Sequence, residues 1–178
     1  MSRFKYCPQC RTTLVDSERG GRTRQACPAL DCGFVAWNNP TPVVAAIVEH
    51  ADRVVLVRSI GRPPTWYGLV AGFLEQGEHP QAAVAREIEE EIGISISTPT
   101  YLGAYAFEEQ NQIIFVYHAA APHLDIRLCT KELADYRIVD VAALKPWSKG
   151  TGPALREWLA TRGFDRVPVD FGKHIDQQ

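Results

Sequence analysis

No apolar run in the 178-residue sequence approaches the roughly 18 residues that a membrane-spanning helix needs. The opening residues, Met1-Ser2-Arg3-Phe4-Lys5-Tyr6, carry no apolar segment of the kind a secretory leader contains. A cytoplasmic protein with no membrane partner is the expectation. Charge of one sign is lacking as well: 19 Lys and Arg against 21 Asp and Glu leave a net −2. The bulk field of the chain is therefore too weak to hold a polyanion. Internal repeats and low-complexity tracts are absent. Cysteine is scarce and odd in number, five in all, but four of the five crowd between Cys7 and Cys32. In a cytosolic chain that crowding favours a metal over disulfides.

What is present divides into two parts. Residues 1–37 are rich in Cys, Gly and Arg and have little apolar periodicity. Residues 38–178 read as an α/β domain, with Pro40 and Pro42 punctuating the join. There, Val43–Glu49 and Val54–Val57 are short β-branched runs around His50–Arg53, a hairpin or a pair of strands. Trp66–Leu74 reads as strand into loop, Ile94–Phe107 and Gln112–Ala119 as further strands. Pro80–Ile92 reads as a helix, with Pro80 in its first turn and Gly93 at its end. Pro153–Thr161 reads as a last helix, with Thr151 as cap and Gly163 as stop. Strands and helices in this mixed order suggest a mixed sheet packed by helices.

The informative stretch is Gly72-Phe73-Leu74-Glu75-Gln76-Gly77-Glu78 followed by the helix. At 100° per residue, Ile88 and Ile92 fall about 40° and 80° from Val84, an apolar stripe. Glu87, Glu90 and Glu91 fall at about 300°, 240° and 340°, sharing an arc of about 100° beside it. Like charges three and four residues apart cost a helix about 0.2–0.5 kcal/mol per pair. A divalent cation reverses that sign, and hard carboxylate oxygens are what Mg²⁺ or Mn²⁺ takes. A solvated acidic face is the alternative for a bare run of glutamates.

The flanking residues favour the cation. Gly72, Glu78, Arg86, Glu87, Ile88, Glu90, Glu91, Gly93 and Ile94 match the Nudix box at every defined position. The chain thus resembles the Nudix hydrolases. The resemblance implies an α/β (α+β) sandwich with a mixed sheet, and metal-dependent hydrolysis of a diphosphate bond. It implies that Glu87, Glu90, Glu91 and the Ala71 carbonyl hold the Mg²⁺ or Mn²⁺, and that Glu78 and Arg86 orient the acidic helix.

Cys7-x2-Cys10 and Cys27-x4-Cys32, sixteen residues apart, have the spacing of a Cys₄ structural Zn²⁺ site. Such a site is coordinatively closed, so no chemistry is expected there. Cys129 stands alone and reads as a small buried hydrophobe. With the box, the cysteines make the chain similar to the zinc-ribbon branch of the family, which includes NADH, ADP-ribose and FAD pyrophosphatases. A zinc ribbon over 1–37 and a Nudix hydrolase domain over 38–178 follow. Lys131-Glu132-Leu133-Ala134-Asp135 is similar to that branch's downstream acidic segment, which makes Glu132 a candidate metal ligand or general base. The Ser-Gln-Pro-Trp-Pro-Phe-Pro motif of NADH pyrophosphatases is absent. Its region holds Tyr101, Tyr105 and Phe107, which are candidates for stacking on a base or else strand core. The implied substrate is a nucleoside diphosphate joined to another group. The resemblance admits a homodimer, and admits nucleic acid only as a capped RNA 5′ end. A nucleotide-binding sensor and an RNA-binding or decapping protein are the rival readings.

Overall fold

A computed structural model describes residues 4–171 and Lys173. Met1-Ser2-Arg3 of the opening segment lies outside the described residues. The chain divides into two compact units, Met1–Pro40 and Thr41–Gln178.

The first unit contains a hairpin that local apolar periodicity does not announce. Strands β1 (Val15–Arg19) and β2 (Arg22–Ala26) pair antiparallel. Gly20 and Gly21 join them with φ of 59° and 71°. A two-residue hairpin turn with both central φ positive wants glycine at both places. The Gly-Gly pair was the signal available in the sequence. Cys7, Leu14 and Cys27 form the small core of this unit, with Ala29, Cys32 and Phe34 packed on it.

The second unit is built on a six-stranded mixed sheet. Its strands are β3 (Thr41–His50), β4 (Arg53–Ser59), β5 (Val70–Phe73), β6 (Thr100–Phe107), β7 (Gln112–Ala120) and β8 (Leu133–Asp140). The order is β6-β7-β3-β4-β8, and β5 pairs with the first half of β3. The pairing of β3 with β7 is parallel and the others are antiparallel. Helix α1 (Pro80–Ile92) packs on one face and α2 (Gly152–Thr161) on the other. Val44, Ala46 and Val48 of β3 meet Val84, Ile88 and Ile92 of α1, while Val43, Ala45 and Ile47 face Leu155, Trp158 and Leu159 of α2. Burial on both faces is why β3 reads as a continuous apolar run rather than an alternation.

The expected sandwich and the β3–β4 hairpin are present. Three expectations are corrected, and one strand was not anticipated. Trp66–Gly68 is loop with one isolated bridge, and the strand begins only at Val70. Ile94–Pro99 is not strand: Ile94 is fully buried at the end of α1, and β6 starts at Thr100. Helix α2 starts at Gly152, and Thr151 precedes it without a side-chain cap bond. Strand β8 had no counterpart in the sequence reading. It is an edge strand whose less exposed positions include Asp135 and Arg137. Charges at inward positions blunt a sheet edge and erase the apolar alternation that marks a strand.

Helix α1 has clear local causes. His79 is extended at ψ 134° and its ring accepts a hydrogen bond from the Gln81 amide. Pro80 lacks only an N–H that the first turn leaves unpaired. Gly93 ends the helix at φ 70°, returning its N–H to the Glu89 carbonyl.

Candidate active site

Strand β5 packs against α1 at Glu87 and Glu91, and the contact between them is unusually close. A Cβ at Gly72 would sit 2.1 Å from the carboxyl carbon and one carboxyl oxygen of Glu87. Only glycine lets the strand come this near. The contact holds the Glu87 carboxyl in the interior, where the residue keeps 9% of its surface exposed. One turn later Glu91 is 7% exposed and accepts a hydrogen bond from the Ala71 amide. Its Oε2 is buried with no partner among the described residues.

Glu90 stands apart. The helical arc of about 100° puts it at the margin, and its side chain is 60% exposed. Of the three glutamates expected to hold the cation, Glu87 and Glu91 are therefore interior and Glu90 lies at the rim.

Arg86 ties the region together. Its guanidinium holds Glu78 with Nε–Oε1 at 2.8 Å and Nη2–Oε2 at 3.0 Å. It also donates to Glu87 at 2.8 Å, Glu90 at 2.9 Å and the Phe73 carbonyl at 3.2 Å. The loop before the helix and the acidic face of the helix thus share one cation. Hydrogen bonds from Arg86 pull Glu78 below the usual carboxylate range. The same bonds, those to Glu78 first, hold the Arg86 guanidinium more firmly charged.

The two interior acids go the other way. Burial raises the carboxyl of Glu87 despite Arg86, with repulsion from Glu90 and Glu132 adding to it. Burial, then Glu87 and Glu132, push Glu91 up to about 8. Glu132, exposed in the turn before β8, is therefore close enough for its charge to act on both. Two chain connections bring it there: the Cys129 amide donates to the Glu91 carbonyl at 2.8 Å, and the Ile60 amide to the Glu132 carbonyl at 2.9 Å. Cys129 is half-buried in this connection.

These residues fit a divalent cation. A buried carboxyl oxygen without a partner, neighbouring carboxylates in mutual repulsion and an all-oxygen donor set are what a hard cation compensates. Ala71 of β5 meets the acids through its amide, which donates to Glu91, and its carbonyl belongs to the same strand.

The aromatic candidates do not act together. A register shift in β6 between Tyr101 and Gly103 adds a residue and turns the strand over. Tyr101 is 52% exposed and rests on Tyr117, ring centres 5.2 Å apart, on the α1 side. Tyr105 and Phe107 lean on the α2 core instead, and Tyr105 donates to Glu157 at 2.5 Å. One shared stacking surface is thereby excluded. Two cavities of about 550 and 390 Å³ are lined by other residues, the larger by Gly93, His123, Arg127 and Tyr136 beyond the C-terminal end of α1.

In the first unit the four cysteines converge. Their sulfurs all lie within 4.8 Å of one another, with Cys7–Cys32 at 3.5 Å and Cys10–Cys27 at 3.4 Å. Tetrahedral Zn–S bonds of about 2.3 Å put sulfurs about 3.8 Å apart, so the cluster is compatible with a structural zinc. Hydrogen bonding by Thr12 lowers the Cys10 thiol to about 6, whereas burial raises Cys27, and Cys32, despite the Phe34 backbone hydrogen bond, is pushed up to about 12 by burial and the neighbouring sulfurs; a bound zinc would hold all four as thiolates.

No helix among the described residues is long and apolar enough to cross a membrane. Residues 39–160 match the NUDIX domain. The NAD-capped RNA hydrolase NudC of Stutzerimonas stutzeri (strain A1501) is 28% identical over 137 residues, 77% of this chain and 48% of that protein. The NAD-capped RNA hydrolase NUDT12 of Homo sapiens is 31% identical over 76% of this chain and 31% of that protein. The chain thus spans about half or less of the length of these relatives. A NUDIX hydrolase from Nitrosomonas europaea, known from its crystal structure, shares the fold with a TM-score of 0.73 at 23% identity, covering 94% of this chain and 96% of that one. With the domain matched from residue 39 to residue 160 around the acidic helix, the chain belongs to the NUDIX family.

Proposed function

We propose that the protein hydrolyses the diphosphate bond of a nucleoside diphosphate joined to another group, a dinucleotide of the NAD, ADP-ribose or FAD class, free or at the 5′ end of an RNA. The observation that carries this is the pair of buried, mutually repelling carboxyls of Glu87 and Glu91, held against Gly72 and Ala71 with one oxygen unpaired. Burying such groups in a chain with no use for them is costly.

Glu87, Glu90 and Glu91, with the Ala71 carbonyl, would hold magnesium or manganese. When bound, the cation supplies charge neutralisation for phosphate oxygens and acidifies water. The chain's own residues do the rest. Arg86 fixes the rotamers of Glu87 and Glu90 and fastens them to the loop through Glu78 and Phe73. Glu132, exposed and near both interior acids, takes the proton from the oxygen of the attacking water. Attack at one phosphorus releases a nucleoside monophosphate and a phosphorylated partner. The Cys7, Cys10, Cys27 and Cys32 cluster holds structural zinc and takes no part in the reaction. A cytoplasmic setting suits free thiols.

The names of the relatives favour NAD-type substrates. The test is a mass-spectrometric product screen with Mg²⁺ or Mn²⁺ against NADH, ADP-ribose, FAD, diadenosine polyphosphates and an NAD-capped RNA, with Glu91→Gln as the blank. A nucleoside monophosphate formed by wild type and not by the blank is the expected result. Identical product profiles on every compound would remove the hydrolase reading.

A further inference from the structure

The β1–β2 hairpin separates its charges by face. The register sets Ser17 opposite Arg24 and Arg19 opposite Arg22, while Asp16 faces Gln25 and Glu18 faces Thr23. Side chains alternate along a strand and cross-strand partners share a side. Arg19, Arg22 and Arg24 therefore stand on one face, and both acids of the hairpin on the other. The acids are occupied there: Glu18 accepts from Thr23 at 2.5 Å, and Asp16 from Gln25.

An aromatic ring joins the cationic face. Trp37 lies with its ring centre 4.9 Å from the Arg24 guanidinium, and Arg24 also donates to the Trp37 carbonyl. The ring reaches the turn, where a Cβ at Gly20 would meet it at 3.7 Å. Trp37 remains 49% exposed, and Arg19 and Arg22 are exposed. Among the described residues, none of the three guanidiniums is in an ion pair. Three cations without an acid, beside a half-open indole, do not serve the small core of this unit, which is built from Cys7, Leu14 and Cys27.

We propose that this face binds a single-stranded segment of an RNA substrate, the guanidiniums on phosphates and Trp37 under one unstacked base. Guanidiniums suit phosphate oxygens, and an exposed indole stacks on any base that is not already paired. Strands of five residues, about 17 Å long at strand rise, reach only a few nucleotides. The face therefore adds hold and not sequence choice. The inference rests on the reading that the dinucleotide can form an RNA end, since a free dinucleotide has no chain to place here.

The experiment uses the full zinc-loaded chain without Mg²⁺ or Mn²⁺, so that nothing is cleaved. Fluorescence anisotropy follows a dye-labelled, unstructured 20-nucleotide RNA between 50 and 200 mM salt. Each phosphate contact contributes about 0.7 to the slope of log affinity against log salt. The triple variant Arg19→Ser, Arg22→Ser, Arg24→Ser should lower that slope by about 2 and weaken binding at 50 mM salt by about tenfold or more. Trp37→Leu should weaken binding by about tenfold with the slope unchanged. Arg24 packs on Trp37, so the double variant of the exposed Arg19 and Arg22 supplies the same test with the packing intact. Zinc content confirms that the unit is folded. Wild-type affinity and slope in these variants overturn the proposal. So does a wild type that binds no RNA at 50 mM salt, or one that binds duplex RNA as tightly as single strands. Turnover of free NADH or ADP-ribose should be unchanged in every variant. If wild type turns over no dinucleotide while RNA binding behaves as expected, the proposed function has failed and not the binding face.

Discussion

Replacing Glu91 by glutamine should change how stability depends on pH, independently of any assay of turnover. The carboxyl of Glu91 is pushed from the usual 4.5 to about 8 by burial and by Glu87 and Glu132. In the unfolded chain it ionises near the usual value, while in the fold it keeps its proton. The neutral form suits the interior, so its contribution to stability is complete at pH below about 4.5 and is lost as pH rises towards 8. The loss is about 1.4 kcal/mol per pH unit in that window. Between pH 5 and 7.5 it comes to about 3 kcal/mol from this one group. Glutamine keeps the acceptor for the Ala71 amide and has no proton to lose. The glutamine amide carries its own burial cost, but that cost is the same at both pH values. The assay is urea unfolding of wild type and variant at pH 5 and 7.5, with zinc retained and Mg²⁺ and Mn²⁺ excluded. Wild type should lose about 3 kcal/mol more than the variant between the two pH values. Added Mg²⁺ should recover most of that difference in wild type and do nothing for the variant. Parallel pH dependences in the two proteins would show that Glu91 is not the strained acid the geometry describes.

Gly72→Ala places a methyl group 2.1 Å from the Glu87 carboxyl. The shift it forces should cut turnover by about 100-fold while circular dichroism stays native, since a displacement of about 1 Å is enough for that loss. Arg86→Gln strands the partly buried Glu78 and Glu87 carboxylates. With Arg86 30% exposed, the cost should be about 2 kcal/mol, below the range for fully buried pairs, and should lower the melting temperature by about 5 °C. Combining it with Glu78→Gln should cost less than the sum of the two. Metal analysis should find one zinc per chain, and Cys27→Ala should lose it along with the β1–β2 hairpin signals in NMR. Tyr105→Phe, which removes the bond to Glu157 on the α2 side, should leave turnover within about twofold of wild type, whereas a large loss would return Tyr105 to the substrate site.

The linear sequence determined whatever depends on neighbours within about one or two helical turns. Pro80 and Gly93 bracket α1. Glu87 and Glu91 recur four residues apart beside the Val84–Ile88–Ile92 stripe, and the helix buries that side because the stripe is apolar. The paired cysteines likewise declare a Cys₄ cluster, because each short loop brings two sulfurs together before the fold is known. Tertiary structure decided what lies between distant segments. That Glu90 faces solvent while Glu87 lies against Gly72 depends on how close β5 comes to α1. The charge of Glu132 reaches Glu91 because the residues after β7 hydrogen-bond to the end of α1 on their way to β8. Tyr101 and Tyr105 part company because of one register shift. Three arginines gather on one face of a hairpin because its register, and not their spacing alone, pairs Arg19 with Arg22 and sets Arg24 two places on. Periodicity reports the geometry of a single element. Which elements meet, and in what register, is settled by the packing of the whole sheet.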